Sequence, residues 1–103
     1  MTYNEEMTGT SWTVDIIGQA KKFTKDPPKR ARASYAVLLL ELRSLGPYRT
    51  SWPNYTKTKG KLEDYHCHIE KGNPTYVVCW RITDKKNKVI EVYYAGTHEK
   101  APY

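Results

Sequence analysis

The first regular alternation of hydrophobic and polar residues begins at Ser11. Trp12, Val14 and Ile16 are separated by polar residues, and a period of two is typical of a half-buried strand. Gly18 ends this pattern. We therefore expect one short strand near the beginning of the chain.

Two helices are predicted after this strand, because apolar residues now recur at spacings of three and four. Residues 18–25 provide about two helical turns. A longer helix is predicted from Asp26, a good N-cap residue, to a stop at Gly46. Its apolar stripe consists of Ala31, Tyr35, Leu38, Leu39, Leu42 and Leu45.

The C-terminal part contains three strand-like runs separated by short turns, at residues 64–71, 75–83 and 88–96. They predict an antiparallel meander whose central strand is apolar and buried on much of both faces. On the first strand the core side is expected to hold Tyr65, Cys67 and Ile69. The other side is expected to hold His66, His68 and Glu70. On the last strand the core side is expected to hold Ile90, Val92 and Tyr94, and the other side Glu91, Tyr93 and Ala95.

Together these elements predict a single α+β domain over residues 1–103. Its small antiparallel sheet would combine the N-terminal strand with the C-terminal three-strand meander. The two N-terminal helices would pack on one face of that sheet. The connection at residues 46–63 is long for so small a domain, which is typical of a functional or disordered loop.

Charge and composition narrow the function classes. The chain has 17 Lys and Arg against 11 Asp and Glu, giving a net charge of +6 at pH 7, and this balance favours a polyanionic partner. The longest apolar run, residues 36–40, is too short to cross a membrane. The polar start does not resemble a signal peptide, and the two cysteines are expected to be reduced, so we expect a cytoplasmic protein.

The long connection mixes cations with aromatic residues. Such a mixture suits an RNA strand, because cations neutralise phosphates while aromatic rings such as Trp52 and Tyr55 stack on unpaired bases. Alternatively, the two aromatic residues cover an edge of the core and the cations are merely solvated. The candidate RNA or ribosome contacts are Arg49, Lys57, Lys59 and Lys61.

The histidines are the candidate catalytic residues. Histidine can accept and donate protons near neutral pH, and a pair of imidazoles is sufficient for metal-free RNA cleavage through attack by the ribose 2′-OH. His66 or His68 would be the base and His98 the acid. Arg81 or a loop lysine would offset charge on the phosphate, and Tyr103 would orient the phosphate, stack on a base or support the acid.

Other interpretations of these residues remain open. A strand histidine is often only a polar surface residue, and Arg81 can be a simple surface cation. His66, His68 and His98 would also suffice for a zinc site with one open position. Both cysteines are expected on the apolar side, and no further His or carboxylate cluster supports such a site. We therefore expect no metal or other cofactor.

Two stretches resemble a known protein family. The sequence YHCHIEKGNPTYVVCWRI and the ending IEVYYAGTHEKAPY look like the RelE/ParE superfamily of toxins from type II toxin-antitoxin systems, and most closely like the histidine-bearing YafQ-like branch of RelE-type messenger-RNA endonucleases. The resemblance covers Ser11 to Tyr103 in architecture and is specific in the C-terminal part.

The resemblance implies a ribosome-dependent ribonuclease that cuts messenger RNA and is silenced by a cognate antitoxin, through which the complex would bind operator DNA. His68, His98 and Tyr103 match the branch's strand histidine, its histidine after the last strand and its closing aromatic residue. His66 matches a position where better-known members have lysine, and Arg81 has no secure match. The alternatives are a ParE-like gyrase poison, which needs no catalytic histidine, and a non-catalytic RNA-binding or antitoxin-binding module.

Overall fold

A computed structural model describes residues 11–58, residue 60 and residues 63–103. The described part has α+β architecture, which confirms the predicted fold class. Its helices are α1 (Gln19–Lys25) and α2 (Arg32–Leu45), with single 3-10 turns at Lys29–Ala31 and His98–Lys100. Its strands are β1 (Thr13–Ile16), β2 (Thr56–Thr58), β3 (Glu63–Glu70), β4 (Tyr76–Asp84) and β5 (Val89–Thr97).

The five strands form one sheet in the order β1-β5-β4-β3-β2. The meander of β3, β4 and β5 is antiparallel, as predicted. However, β1 runs parallel to β5, with Thr13 opposite Val89, so the sheet is mixed. The chain reaches β5 only after both helices and three other strands, so the pairing of β1 with β5 joins distant parts of the sequence. The backbone N–H of Ile17, which follows β1, donates to the carbonyl of Val92 on β5 at 3.0 Å.

Helices α1 and α2 cover one side of the sheet, which we call the inner side. The apolar stripe of α2 is confirmed at Tyr35, Leu38, Leu39 and Leu42, all buried, whereas Leu45 is 63% exposed. Trp80 on β4 is fully buried on this side, and its indole N–H donates to the carbonyl of Pro47 at 3.0 Å. None of the helices in the described part combines the length and apolarity needed to cross a membrane.

The start of the long helix differs from the prediction, although its end does not. Asp26 is the C-terminal cap of α1 rather than the N-cap of α2. The reason is local: Pro27 precedes a second proline, and such a position is disfavoured in helical conformation, while Pro28 is itself extended with a ψ of 141°. Gly46 ends α2 with a φ of 96°, and a Cβ there would lie 2.8 Å from the indole nitrogen of Trp12.

A β-bulge in β5 reverses part of the predicted alternation. Cys79 pairs with Tyr94, whereas the next residue of β4 pairs with Val92, so Tyr93 is an extra residue. As a result, Ala95 joins the core on the inner side and Tyr94 lies on the other side, the opposite of the prediction. The expectation that both cysteines face the apolar inner side is also wrong, because Cys79 packs with Tyr94.

Candidate active site

The side of the sheet away from the helices, here called the outer side, carries both strand histidines. His66 of β3 pairs with Cys79 of β4, and His68 pairs with Val77. Directly paired residues point to the same side. Val77, Cys79 and Tyr94 form a small apolar cluster there, separate from the main core. The predicted separation of β3 into a core side and a histidine side is therefore correct.

The C-terminal tail folds back over this outer side. The backbone N–H of His98 donates to the carbonyl of Thr75 at 2.8 Å, and that of Ala101 donates to the carbonyl of His98 at 3.2 Å. Ala101 packs against the apolar cluster that contains Val77. These contacts turn the tail toward β3 and bring Tyr103 above it.

The four aromatic rings His66, His68, His98 and Tyr103 lie together, and we call them the histidine cluster. The rings of His66 and Tyr103 are stacked, with centroids 3.6 Å apart and planes at 15°. The rings of His68 and His98 meet edge to face at 5.3 Å, and those of His98 and Tyr103 at 6.0 Å. Four of the five predicted catalytic residues are thus within ring contact.

Their exposure separates the four residues by the roles they can take. His66 is only 9% exposed beneath Tyr103, whereas Tyr103 is 44% exposed. His98 is exposed and His68 is half-buried. His68 and His98 can therefore meet a ligand from solvent, while His66 mainly supports the ring of Tyr103.

Thr58 fixes the orientation of His66. Strand β2 pairs with β3 and sets Thr58 opposite Asp64, which points to the same side of the sheet as His66. The Oγ1 of Thr58 therefore lies 3.2 Å from Nδ1 of His66, within hydrogen-bond distance. The sequence analysis missed this residue, since a strand of three residues is too short to show an alternating pattern.

Tyr94 and Gly96 support the segment that leads to His98. The Tyr94 hydroxyl donates to the carbonyl of Thr97 at 2.7 Å. A Cβ at Gly96 would lie 2.8 Å from this hydroxyl oxygen, so only glycine leaves the hydroxyl free to reach Thr97. The sequence analysis missed this contact because it assigned Tyr94 to the core.

The electrostatic environment keeps the strand histidines neutral. Burial, followed by the nearby His68 and His98, lowers the pKa of His66. Burial, followed by His98 and the charge of Lys71, lowers the pKa of His68. Burial raises the pKa of Tyr103 to about 12, so its hydroxyl is protonated at neutral pH.

Arg81 lies on the outer side of β4 but its charge is already offset. Its guanidinium is 3.5 Å from Asp64 and 3.9 Å from Glu91, and it stacks over the ring of Tyr93 at 3.9 Å. Arg81 lies two positions after Cys79 in β4, a distance of about 6.6 Å along the strand. Lys71 is a cation whose charge reaches His68, and the sequence analysis did not single it out.

The basic-aromatic connection has a largely structural role in its described part. Arg49 and Trp52 both donate to the same carboxylate oxygen of Glu41, at 3.2 and 2.8 Å. The Arg49 side chain is only 15% exposed. Tyr55 stacks on Tyr65 of β3 with centroids 5.7 Å apart. The interpretation in which Trp52 and Tyr55 cover a core edge fits these contacts, and Arg49 is engaged within the fold.

The three candidate lysines of this connection differ in what can be said of them. Lys57 is exposed and pairs with Tyr65, so it shares the inner side of the sheet rather than that of the histidine cluster. Lys59 and Lys61 lie outside the described residues.

The described residues contain no group of three or more His, Cys, Asp or Glu side chains arranged to hold a metal ion. This geometry does not provide the ligand set for the three-histidine zinc alternative. Within the same residues the histidine cluster lies on an open surface with no enclosed cavity.

Comparisons with protein-family models, curated proteins and solved structures find no match to this chain. The class that the fold and the cluster define is accordingly a small α+β domain with an open group of imidazoles on one side of its sheet.

Proposed function

We propose that the protein is a RelE-type toxin of a type II toxin-antitoxin system, a ribosome-dependent endonuclease that cuts messenger RNA without a metal and inhibits translation. The observation that supports this most is the contact between His68 and His98, at 5.3 Å between ring centroids, on an exposed surface. Two adjacent imidazoles can act as base and acid in one reaction. The net charge of +6 suits an RNA substrate.

In the proposed reaction His68 is the base. Its lowered pKa keeps the ring neutral at neutral pH, so it can take the proton of a ribose 2′-OH. The 2′-oxygen then attacks the adjacent phosphorus, and the bond from phosphorus to the 5′-oxygen breaks. His98, whose side chain is exposed, protonates the leaving oxygen. The products are a 2′,3′-cyclic phosphate and a 5′-hydroxyl end.

The other residues assist this pair. Tyr103, held by its stack on His66, orients the phosphate through a hydroxyl that stays protonated. Lys71 supplies positive charge near His68, a role for which Arg81 is less suited because two carboxylates flank it. The open surface accommodates a strand presented by the ribosome.

The same proposal covers the surroundings of the reaction. The protein would act in the cytoplasm, with a cognate antitoxin as its inhibitor and the ribosome and messenger RNA as its targets. Operator DNA would be bound by the antitoxin within the complex.

The test compares His98→Ala with a matched variant of its neighbour, Glu99→Ala. Both residues are exposed in the same turn, so both variants should unfold at the same temperature as the wild type. We expect His98→Ala to lose about 10²- to 10⁴-fold in cleavage rate, relieve growth inhibition and retain ribosome binding. Glu99→Ala should cleave normally.

Primer extension on messenger RNA from a translation extract, with chemical analysis of the new ends, provides the readout. Full cleavage by His98→Ala would overturn the assignment. Inhibition of purified gyrase without RNA cuts would favour the ParE-like alternative, and loss of activity on chelation of stoichiometric zinc would favour a metal site. Ribosome binding without any cleavage by the wild type would indicate a non-catalytic module.

A further inference from the structure

The turn between β3 and β4, residues 71–75, adjoins both imidazoles of the proposed catalytic pair. Its first residue, Lys71, follows His68 by three positions. At its other end, the carbonyl of Thr75 accepts the backbone N–H of His98 at 2.8 Å. The position of this turn therefore affects where His98 lies relative to His68.

Arg30 binds this turn from the inner side of the sheet. It belongs to the 3-10 turn Lys29–Ala31, between the two helices. Its Nη2 donates to the carbonyl of Lys71 at 3.2 Å and to that of Pro74 at 3.0 Å. The guanidinium also lies over the ring of Tyr76, 5.4 Å from the centroid, and that ring packs against the main core. One side chain thus connects both ends of the turn with the start of β4.

Gly72 gives the guanidinium room to enter the turn. A Cβ at this position would collide with Nη2 of Arg30 and lie 3.2 Å from its Cζ. The φ of Gly72 is 148°, a conformation that glycine adopts most readily. The hydroxyl of Thr75 donates to the carbonyl of Gly72 at 3.0 Å, which closes the turn. The turn is therefore built closely around the side chain of Arg30.

The contacts of Arg30 and of His98 meet on neighbouring carbonyls. Arg30 binds the carbonyl of Pro74, and the next carbonyl, that of Thr75, accepts the N–H of His98. His68 is held separately by the pairing of β3 with β4. A small shift of the turn would therefore move the backbone of His98 while His68 stayed in place, and the spacing of the two imidazoles would change.

We propose that Arg30 is a positioning residue for the pair His68 and His98, because it fixes the turn whose Thr75 carbonyl holds the backbone of His98. It acts through the turn and touches no reacting atom. Its contacts are exposed and should add little to stability, whereas misplacing a catalytic group by about 1 Å can slow a reaction about 100-fold. The effect on cleavage rests on the proposed function, but the effect on the position of His98 does not.

A direct contact with an RNA phosphate is the alternative use of an exposed arginine. The structure favours positioning, because Nη2 of Arg30 is already engaged by two carbonyls. The two roles differ in what they change. Loss of a phosphate contact would weaken ribosome binding and its salt dependence, whereas loss of positioning would slow cleavage on the bound ribosome.

The variants that test this inference are Arg30→Ala, Gly72→Ala and the double variant. Gly72→Ala displaces the guanidinium without removing its charge. Lys29→Ala is the matched control, because it removes the same charge from the same exposed turn. Within the part of the chain that the structure describes, Lys29 forms no ion pair.

Two measurements by nuclear magnetic resonance report the geometry whether or not the protein cleaves RNA. Hydrogen exchange of the His98 amide should become about two- to tenfold faster in Arg30→Ala, as expected when one hydrogen bond weakens. The pKa of His68 should rise towards its ordinary value, because burial, His98 and Lys71 lower it in the wild type and all three influences weaken when the turn loosens. Lys29→Ala should match the wild type in both.

Cleavage in a translation extract should fall about tenfold or more in Arg30→Ala and in Gly72→Ala. Arg30→Ala should keep the ribosome affinity and the thermal unfolding midpoint of the wild type. The double variant should be no slower than the slower single variant, since both changes remove the same contacts.

Unchanged His98 exchange and His68 titration in Arg30→Ala would overturn the inference. So would equal changes in Lys29→Ala, or a loss of ribosome affinity as large as the loss of cleavage. A wild-type protein that cuts no RNA would refute the proposed function alone, because the two resonance measurements would still decide the role of Arg30.

Discussion

Replacing Gly96 tests the support of the segment before His98. In Gly96→Ala the new Cβ would lie 2.8 Å from the hydroxyl oxygen of Tyr94 and 3.1 Å from its Cζ. Tyr94 is 8% exposed, and its hydroxyl is held at 2.7 Å from the carbonyl of Thr97. The ring cannot retreat without losing that hydrogen bond, so the alanine forces either a backbone shift or loss of the bond.

The magnitudes follow from the two contacts. Overpacking of this kind costs about 1–3 kcal/mol, and we expect Gly96→Ala to be destabilised by that amount. Tyr94→Phe loses one hydrogen bond, at a cost of about 0.5–1.5 kcal/mol. In the double variant the hydroxyl that the alanine meets is absent. Its destabilisation should therefore be smaller than the sum of the two single effects by about 1 kcal/mol.

Urea unfolding of the four proteins of this double-mutant cycle, followed by tryptophan fluorescence, measures the coupling. The buried Trp80 provides a signal remote from the substituted residues. Additive effects, within the about 0.3–0.5 kcal/mol usual for independent sites, would refute the idea that Gly96 is required to make room for the Tyr94 hydroxyl.

Three further predictions concern other contacts of the site and its support. Because burial lowers the pKa of His66 and His68 below the ordinary value near 6.5, the unfolded chain binds more protons as pH falls. The urea midpoint should thus drop as pH is lowered through and below that value, and less so when both residues are glutamine. Glu41→Gln removes the carboxylate that Arg49 and an indole N–H share and should destabilise the fold by about 1–3 kcal/mol in urea unfolding, with RNA cleavage unchanged at temperatures where the protein is folded. Residues appended after Tyr103 should reduce RNA cleavage in a translation extract while leaving the thermal unfolding midpoint unchanged.

The elements that the sequence predicted well are those with a long local pattern. The strand predicted at residues 64–71 is observed at Glu63–Glu70, and its alternation correctly separated His66 and His68 from Cys67. Tyr65, Cys67 and Ile69 are buried, whereas His68 and Glu70 are half-buried, so a shift by one residue would have exposed the whole apolar set of this strand.

The elements that the sequence did not predict depend on partners elsewhere in the chain. Strand β2 has three residues and exists through its pairing with β3. The bulge at Tyr93 is a mismatch between two strands, so no pattern within β5 alone could reveal it. The same holds for Arg49, because its carboxylate partner Glu41 is on α2.

The position of His98 combines both kinds of information. Sequence alone placed it after the last strand, but three nonlocal contacts determine where its ring lies: the carbonyl of Thr75 that accepts its backbone N–H, the apolar cluster beneath Ala101, and the stack of Tyr103 on His66. Aromatic stacking contributes about 0.5–1.5 kcal/mol and a backbone hydrogen bond a similar amount. Since each contact is weak alone, the geometry of the pair His68 and His98 depends on all three contacts together. Mutations that remove one of these three contacts should therefore impair the proposed RNA cleavage well before they unfold the protein.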